Sequence, residues 1–232
     1  MIAILLAARS DSKRLPDKHF LKINSNLRMI DLCIIRLKKT RLVNKIFLCT
    51  TKNKIDNKFK EVCNLHKINI FRGSANNVQK RLIDCAKKNS IKIIVRITAD
   101  CPIIDPKLID KCIKLHLKKK SDYTSNTLVL SFPDGLDVEI VNLKSLLKSQ
   151  KISKTTSNKE HVTTFIRESK LFKKFNYKNS IDYSNRRWTL DYRKDFNFLK
   201  KVTKYFLPNI HFSWKDLIKA ERSKSLINIK DR

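Results

Sequence analysis

The side chains of this sequence best suited to chemistry are cations and carboxylates that follow strand-like apolar runs. The run Ile2 to Ala8 is small and branched, and it leads directly into Arg9, Lys13, Arg14 and Lys18 within "ARSDSKRLPDK". Cations crowded into one loop repel each other, so the arrangement calls for an anion among them. A loop between a strand and a helix is where α/β sheets hold phosphate groups. Neither G-x-x-x-x-G-K-[ST] nor G-x-G-x-x-G is present, so the grip falls to side-chain cations and loop amides, with Pro16 stiffening the turn. An ordinary basic surface loop is the competing reading, because lysine is common along the whole chain.

The acids fall in four further stretches. "VRITADCPIIDP" (95–106) reads as a strand ending at Asp100. A carboxylate just past a parallel strand points into the crevice that the first loop also borders, where it can hold a divalent cation against phosphates. Asp105 before Pro106 reads instead as a helix N-cap. In "SFPDGLDVEIV" (131–141), Asp134-Gly135 signals a turn, and Asp137 and Glu139 share one face of the strand that follows. A paired acidic face can bind hydroxyls or a metal. In "NKEHVTTFIRES" (158–169), Glu160-His161 opens a helix, where Glu suits the macrodipole and His161 caps or fills the core. "NRRWTLDYRKD" (185–195) reads as a short strand, Arg186 to Asp191, ending in a second lone carboxylate.

Positioning these groups requires alternating strands and helices. Strand candidates are 2–8, 45–50, 68–72 and 91–98; helical faces are Met29/Leu32/Cys33/Arg36/Leu37, Val78/Leu82/Ile83/Cys85/Ala86 and Leu108/Ile109/Cys112/Ile113/Leu117. That alternation predicts βα units around a mostly parallel sheet. Beyond residue 120 it weakens, with strands expected in "DYTSN", "DVEIVN" and "FKKFNYK" and helices near 143–151, 159–168 and 195–206. The two glycines, Gly73 and Gly135, each mark a place of backbone constraint.

Bulk properties narrow the function. A chain of 232 residues can bury a substantial core. Its 52 Lys and Arg against 21 Asp and Glu leave a net charge of +31. Such charge raises the question of nucleic acid, but it is spread along the chain and no reader motif accompanies it, so no specific nucleic-acid partner is expected. The six cysteines have no C-x-x-C pair and no histidine at zinc spacing, which predicts buried thiols in a reducing compartment. Ile2 to Ala8 is too short to cross a membrane and lacks the basic start of a secretory signal, so a soluble cytoplasmic protein is expected.

Together these stretches resemble the cytidylyltransferase family typified by the spore coat polysaccharide biosynthesis protein SpsF, related to acylneuraminate and 3-deoxy-manno-octulosonate cytidylyltransferases. "ARSDSKRLPDK" is similar to the family's A-R-x-x-S-x-R-L-P-G-K, and "FRGSANNVQKR" to F-R-G-S-x-x-D-V-x-x-R. "VRITADCPIIDP", "SNTLVLSFPDGLDVEIV", "EHVTTFIR" and "RRWTLD" match further family stretches in the same order. The resemblance implies a single-domain α/β fold, GT-A-like (nucleotide-diphospho-sugar transferase) and Rossmann-type, with a mostly parallel sheet flanked by helices. Residues 1–232 would form one nucleotidyltransferase domain, with 1–120 binding nucleotide and 121–232 binding the acceptor.

The implied reaction transfers CMP from CTP to an acidic sugar or related small anionic acceptor, releasing pyrophosphate. Carried over by motif, Arg9 and Lys18 would be catalytic. The nucleotide would be bound by Ala7, Ala8, Arg9, Arg14, Lys18, Arg72, Ser74, Arg81, Ala99 and Asp100. Asn126, Asp134, Gly135, Asp137, Glu139, Glu160 and His161 would face the acceptor, while Asp100 and Asp191 would hold Mg²⁺; relatives often pair as homodimers. Three positions depart from the family. Asp11 and Asp17 stand where the loop usually has small residues or glycine, and Asn77 replaces an acid. Transfer to a phosphorylated acceptor, sugar or non-sugar, a glycosyltransferase using Asp134-x-x-Asp137, and a non-catalytic basic nucleic-acid binder are the competing functions.

Overall fold

The computed structural model describes residues 1–223; the end of the expected acceptor-binding half, 224–232, lies outside the described residues. In chain order the first half runs β1 (Ile2–Ala7), β2 (Lys22–Asn24), β3 (Leu27–Arg28), α1 (Met29–Leu37), β4 (Lys45–Thr51), α2 (Lys58–His66), β5 (Asn69–Gly73), α3 (Val78–Lys88), β6 (Ile93–Thr98) and α4 (Pro106–Lys119). The second half adds β7 (Tyr123–Ser125), β8 (Glu139–Asn142), α5 (Leu143–Ile152), α6 (Thr156–His161), α7 (Thr164–Glu168), β9 (Lys174–Asn176), α8 (Arg193–Phe206) and α9 (Trp214–Arg222).

Seven strands form one mixed sheet in the order β5-β4-β1-β6-β8-β7-β9, and β2 pairs with β3 in a separate hairpin. β1 runs parallel to both β4 and β6, and β8 pairs antiparallel with β6 and β7. β1 is central because it is apolar on both sides. Ile4 and Leu6 join a core with α1, α2, α4, α8 and α9, while Ala3 and Leu5 join the opposite core with α3, α5 and the 162–172 region. The chain leaves β1 for β4 and β5, then returns to β6 on the other flank of β1. That reversal opens a crevice at the carboxyl ends of β1 and β6, the place where open α/β sheets bind ligands.

The expected strands and helices of the first half all form, within a residue or two. Helix α2, helix α9 and the β2–β3 hairpin were not foreseen, being short or weakly patterned. Two expectations are corrected. The helix expected over 159–168 is broken into α6 and α7, because buried Val162 adopts φ 71 between them. The stretch 186–191 is no strand. It makes one isolated bridge with Asp134, whose N–H donates to the Arg186 carbonyl (2.9 Å) and whose carbonyl accepts from Trp188 N–H (2.6 Å), and Leu190 N–H then donates to the Asp100 carbonyl (2.8 Å), so no extended ladder forms. Asp105 does cap α4, accepting from Lys107 and Leu108 N–H, and it also accepts from Trp214 N–H at 3.0 Å. Among the described residues, no helix is long and apolar enough to cross a membrane.

Candidate active site

The loop leaving β1 is anchored before it can bind anything. Ser10 N–H donates to Asp56 Oδ1 (2.8 Å), and Asp56 also accepts from the Thr51 hydroxyl (2.5 Å) at the end of β4. Asp17 adopts the left-handed conformation, φ 53 and ψ 24, which explains why glycine suits that position. Its carboxylate pairs with Lys58, outside the cleft. The turn at Asp17 sends Lys18 inward, where its side chain is only 10% exposed.

Lys18 is the point of convergence. Its Nζ lies 2.9 Å from Asp191 Oδ1 and 3.4 Å from Asp100 Oδ2, so acids far apart in sequence share one ammonium. Arg14 reaches the same Asp191 oxygen at 3.0 Å, and Arg187 takes Asp191 Oδ2 at 2.8 Å. Asp191 is placed by the start of α8, where Asp195 accepts from the backbone N–H groups of Asp191 and Tyr192 at 2.9 Å each. Burial pushes the Asp100 carboxyl up, but the Lys18 ammonium, the Thr98 hydroxyl and His19 outweigh it and hold Asp100 below its usual range.

A cleft of about 640 Å³ opens here, lined by Ala7, Ala8, Arg9, Arg14, Lys18, Arg81, Ala99, Asp100, Glu160 and His161 among others. In its lining, Arg9 pairs with Asp11 (3.3 Å) and Glu160 (3.2 Å). Arg81 is buried and donates to the Ser74 carbonyl at 2.8 Å, its stem packed where a Cβ on Gly73 would intrude at 2.9 Å. Asn77, the departure from the family acid, still caps α3 by accepting from Lys80 N–H at 2.8 Å.

Several expected site residues do other work. Arg72 turns away from the cleft and donates to the Thr51 and Asn53 carbonyls and to Asn57, so it braces the loop after β4. Ser74 contributes its carbonyl to Arg81 and does not line the cleft. Asn126 clasps backbone, donating to the Leu136 carbonyl (2.9 Å) and accepting from Val138 N–H (2.8 Å). Glu139 is already engaged: Tyr123 and Thr163 hydroxyls donate to Oε1 at 2.6 Å each, and Arg96 donates to Oε2. Both of its oxygens therefore have protein donors, and it lines a cavity together with Arg96 and His161.

Asp134 and Asp137 line a smaller cavity of about 220 Å³. Asp134 pairs with Arg187 at 2.8 Å. Asp137 is pushed up to about 7, first by burial and then by the charges of Asp134, Glu139 and Asp100. Gly135, at φ +106, lets this turn lie against the Trp188–Thr189 backbone; a Cβ there would meet Trp188 backbone at 2.6 Å. All six thiols are buried, and burial pushes those of Cys33, Cys63 and Cys112 up to about 12, so these three are not poised as nucleophiles.

The residues missed in the sequence are Arg96, His19 and Arg187. His19 lines the cleft with a buried Nδ1 that has no partner among the described residues, and burial, then Lys18, pushes it down to about 4. A charged residue inside the apolar run "IIVRIT" was the available signal for Arg96. Nothing in the spacing distinguishes Arg187 from Arg186 beside it.

A sheet with this switch point, and a basic loop facing two acids beside it, define a site suited to a phosphate-bearing ligand. Comparison with known proteins then supplies the family. The chain belongs to the cytidylyltransferase family, whose model matches residues 3–221. It is 36% identical over 206 residues to an uncharacterized protein of Methanocaldococcus jannaschii, covering 87% of this chain and 83% of that one. It is 28% identical over 209 residues to the spore coat polysaccharide biosynthesis protein SpsF of Bacillus subtilis, covering 87% and 85%. Among solved structures, a cytidylyltransferase from Leptospira borgpetersenii serovar Hardjo-bovis superposes with a TM-score of 0.92 at 35% identity, covering 96% of this chain and 94% of that one. CMP:2-keto-3-deoxy-manno-octonic acid synthetase, solved with CTP, shares the fold at a TM-score of 0.65 and 12% identity, covering 89% and 99%.

Proposed function

We propose that this enzyme transfers CMP from CTP to an acidic sugar or a related acceptor, in the service of surface polysaccharide synthesis in the cytoplasm. The observation that carries the reading is the meeting of Arg14, Lys18, Asp100 and Asp191 in one network of ion pairs beside the cleft. An acceptor oxygen would attack the α-phosphorus in line, and the bond to the bridging α–β oxygen would break to release pyrophosphate. In such a reaction the protein chiefly positions groups and neutralises charge. Arg9, Arg14 and Lys18 would grip the triphosphate and oppose the charge that grows on the leaving group.

The carboxylates of Asp100 and Asp191 fit a Mg²⁺ ion. Both already approach one cation, the Lys18 ammonium, and Mg²⁺ commonly takes one or two carboxylates with substrate phosphates completing its shell. When bound, the ion would neutralise phosphate oxygens. The relationship to SpsF supports a saccharide-directed role.

The test is pyrophosphate release from CTP, ATP, GTP and UTP, each offered with sugar acids and with phosphorylated polyols. Release confined to CTP with a sugar acid is the expected result. Release only with a phosphorylated non-sugar acceptor would replace the sugar-acid reading, and folded protein that releases none in any combination would refute it. Liberation of free nucleoside diphosphate would instead reveal a glycosyltransferase.

A further inference from the structure

Arg96 occupies the middle of β6, a strand whose other members are Ile, Val and Thr. An arginine so placed is costly to desolvate and needs partners. Glu139, opposite it in register on β8, supplies one by accepting from Nη1. The arrangement is incomplete, since Arg96 Nε is buried and has no hydrogen-bond partner among the described residues. Period-two alternation puts Arg96 on the face of Thr98 and Asp100, and all three line the phosphate cleft.

Arg96 and His161 also line a second cavity, about 500 Å³, next to the first. This cavity is rich in donors: Ser157, Thr164 and Arg167 join Arg96 and His161. Of its two carboxylates, Glu139 is held by three protein donors and Glu168 is exposed. Arg167 is shared with the 220 Å³ cavity of Asp134 and Asp137, where the two carboxylates supply acceptors. Donors suit an oxyanion, and carboxylates suit hydroxyls.

We propose that the cavity beside Arg96 is the subsite for the acceptor's oxyanion, carboxylate or phosphate, gripped by Arg96 and Arg167, while Asp134 and Asp137 receive the acceptor's hydroxyls. The inference rests on the transferase reading and adds an orientation to it. The anionic end of the acceptor lies toward α6 and α7, and the polyol end lies toward the Asp134 turn. Glu139 is then a positioning residue, holding the guanidinium flat for two parallel hydrogen bonds.

Pyrophosphate release from CTP and Mg²⁺ is followed with N-acetylneuraminate, 3-deoxy-manno-octulosonate, ribitol 5-phosphate and neutral N-acetylmannosamine as acceptors. At least one anionic acceptor should turn over with kcat/KM at least about tenfold above the neutral sugar, and which one distinguishes carboxylate from phosphate. Arg167→Ala should raise the KM of that acceptor about tenfold or more while the KM of CTP stays within about twofold. Arg96→Lys should keep part of the acceptor affinity and Arg96→Met should lose it. Should Arg96→Met fail to fold, Arg96→Met with Glu139→Gln removes the stranded carboxylate and takes its place.

Acceptor KM unchanged in Arg167→Ala and Arg96→Lys, or a neutral sugar used as well as an anionic one, overturns the subsite and leaves the transferase intact. No pyrophosphate with any acceptor overturns the transferase reading itself and the subsite with it.

Discussion

Lys18 holds two carboxylates together, and the consequence is testable at that residue. In Lys18→Met, Asp100 loses its ammonium partner while Asp191 keeps Arg14 and Arg187, which should cost about 3 kcal/mol of stability and reduce turnover at least about a hundredfold. Thermal melts with and without Mg²⁺ check the cause: the ion should restore more stability to the variant than to the parent, because it can take the ammonium's place. His19 offers a pH test. Its folded value, about 4, lies below the ordinary 6.5, so the unfolded chain binds the proton first. Its contribution, about 3 kcal/mol, is therefore whole above pH 6.5 and is lost as pH falls toward 4. Denaturant titrations across that window should show a shallower decline in His19→Gln than in the parent; parallel declines would contradict the assignment.

Elements that look peripheral to the chemistry set its geometry. The 186–191 segment is threaded between the Asp134 turn and the end of β6, and α9 clamps it through Glu221, which accepts from Arg186 (2.7 Å) and from the Trp188 indole (3.0 Å). Gly135→Ala would push a methyl group into Trp188 backbone at a φ that side chains avoid. A loss of roughly 2–4 kcal/mol is expected, read from the denaturation midpoint, together with reduced turnover as Asp191 shifts. Asp105 links α4 to α9 through its two roles, helix cap and acceptor for Trp214 N–H. Asp105→Ala should cost about 1–3 kcal/mol by the same measurement, with the KM of CTP unchanged.

For the whole molecule, a net charge of +31 should give weak, sequence-blind binding to DNA. Filter binding at rising salt checks this: binding should vanish by about 0.2 M, and specific retention above that would revive the nucleic-acid reading. The fold was largely legible because apolar period and turn chemistry are local, as in the runs that became β1, β4 and β6. The basic loop and Asp100 were legible for the same reason, each being tied to a strand end. The neighbours of a charged side chain are not local. Whether Arg72 faces a ligand or braces a loop, whether Glu139 is free or engaged, and which of two adjacent arginines reaches Asp191 depend on atoms contributed by distant segments. Hydrogen bonding and Coulomb attraction act over a few ångströms of space, which chain order does not encode; packing alone brought Lys18, Asp100 and Asp191 within that range.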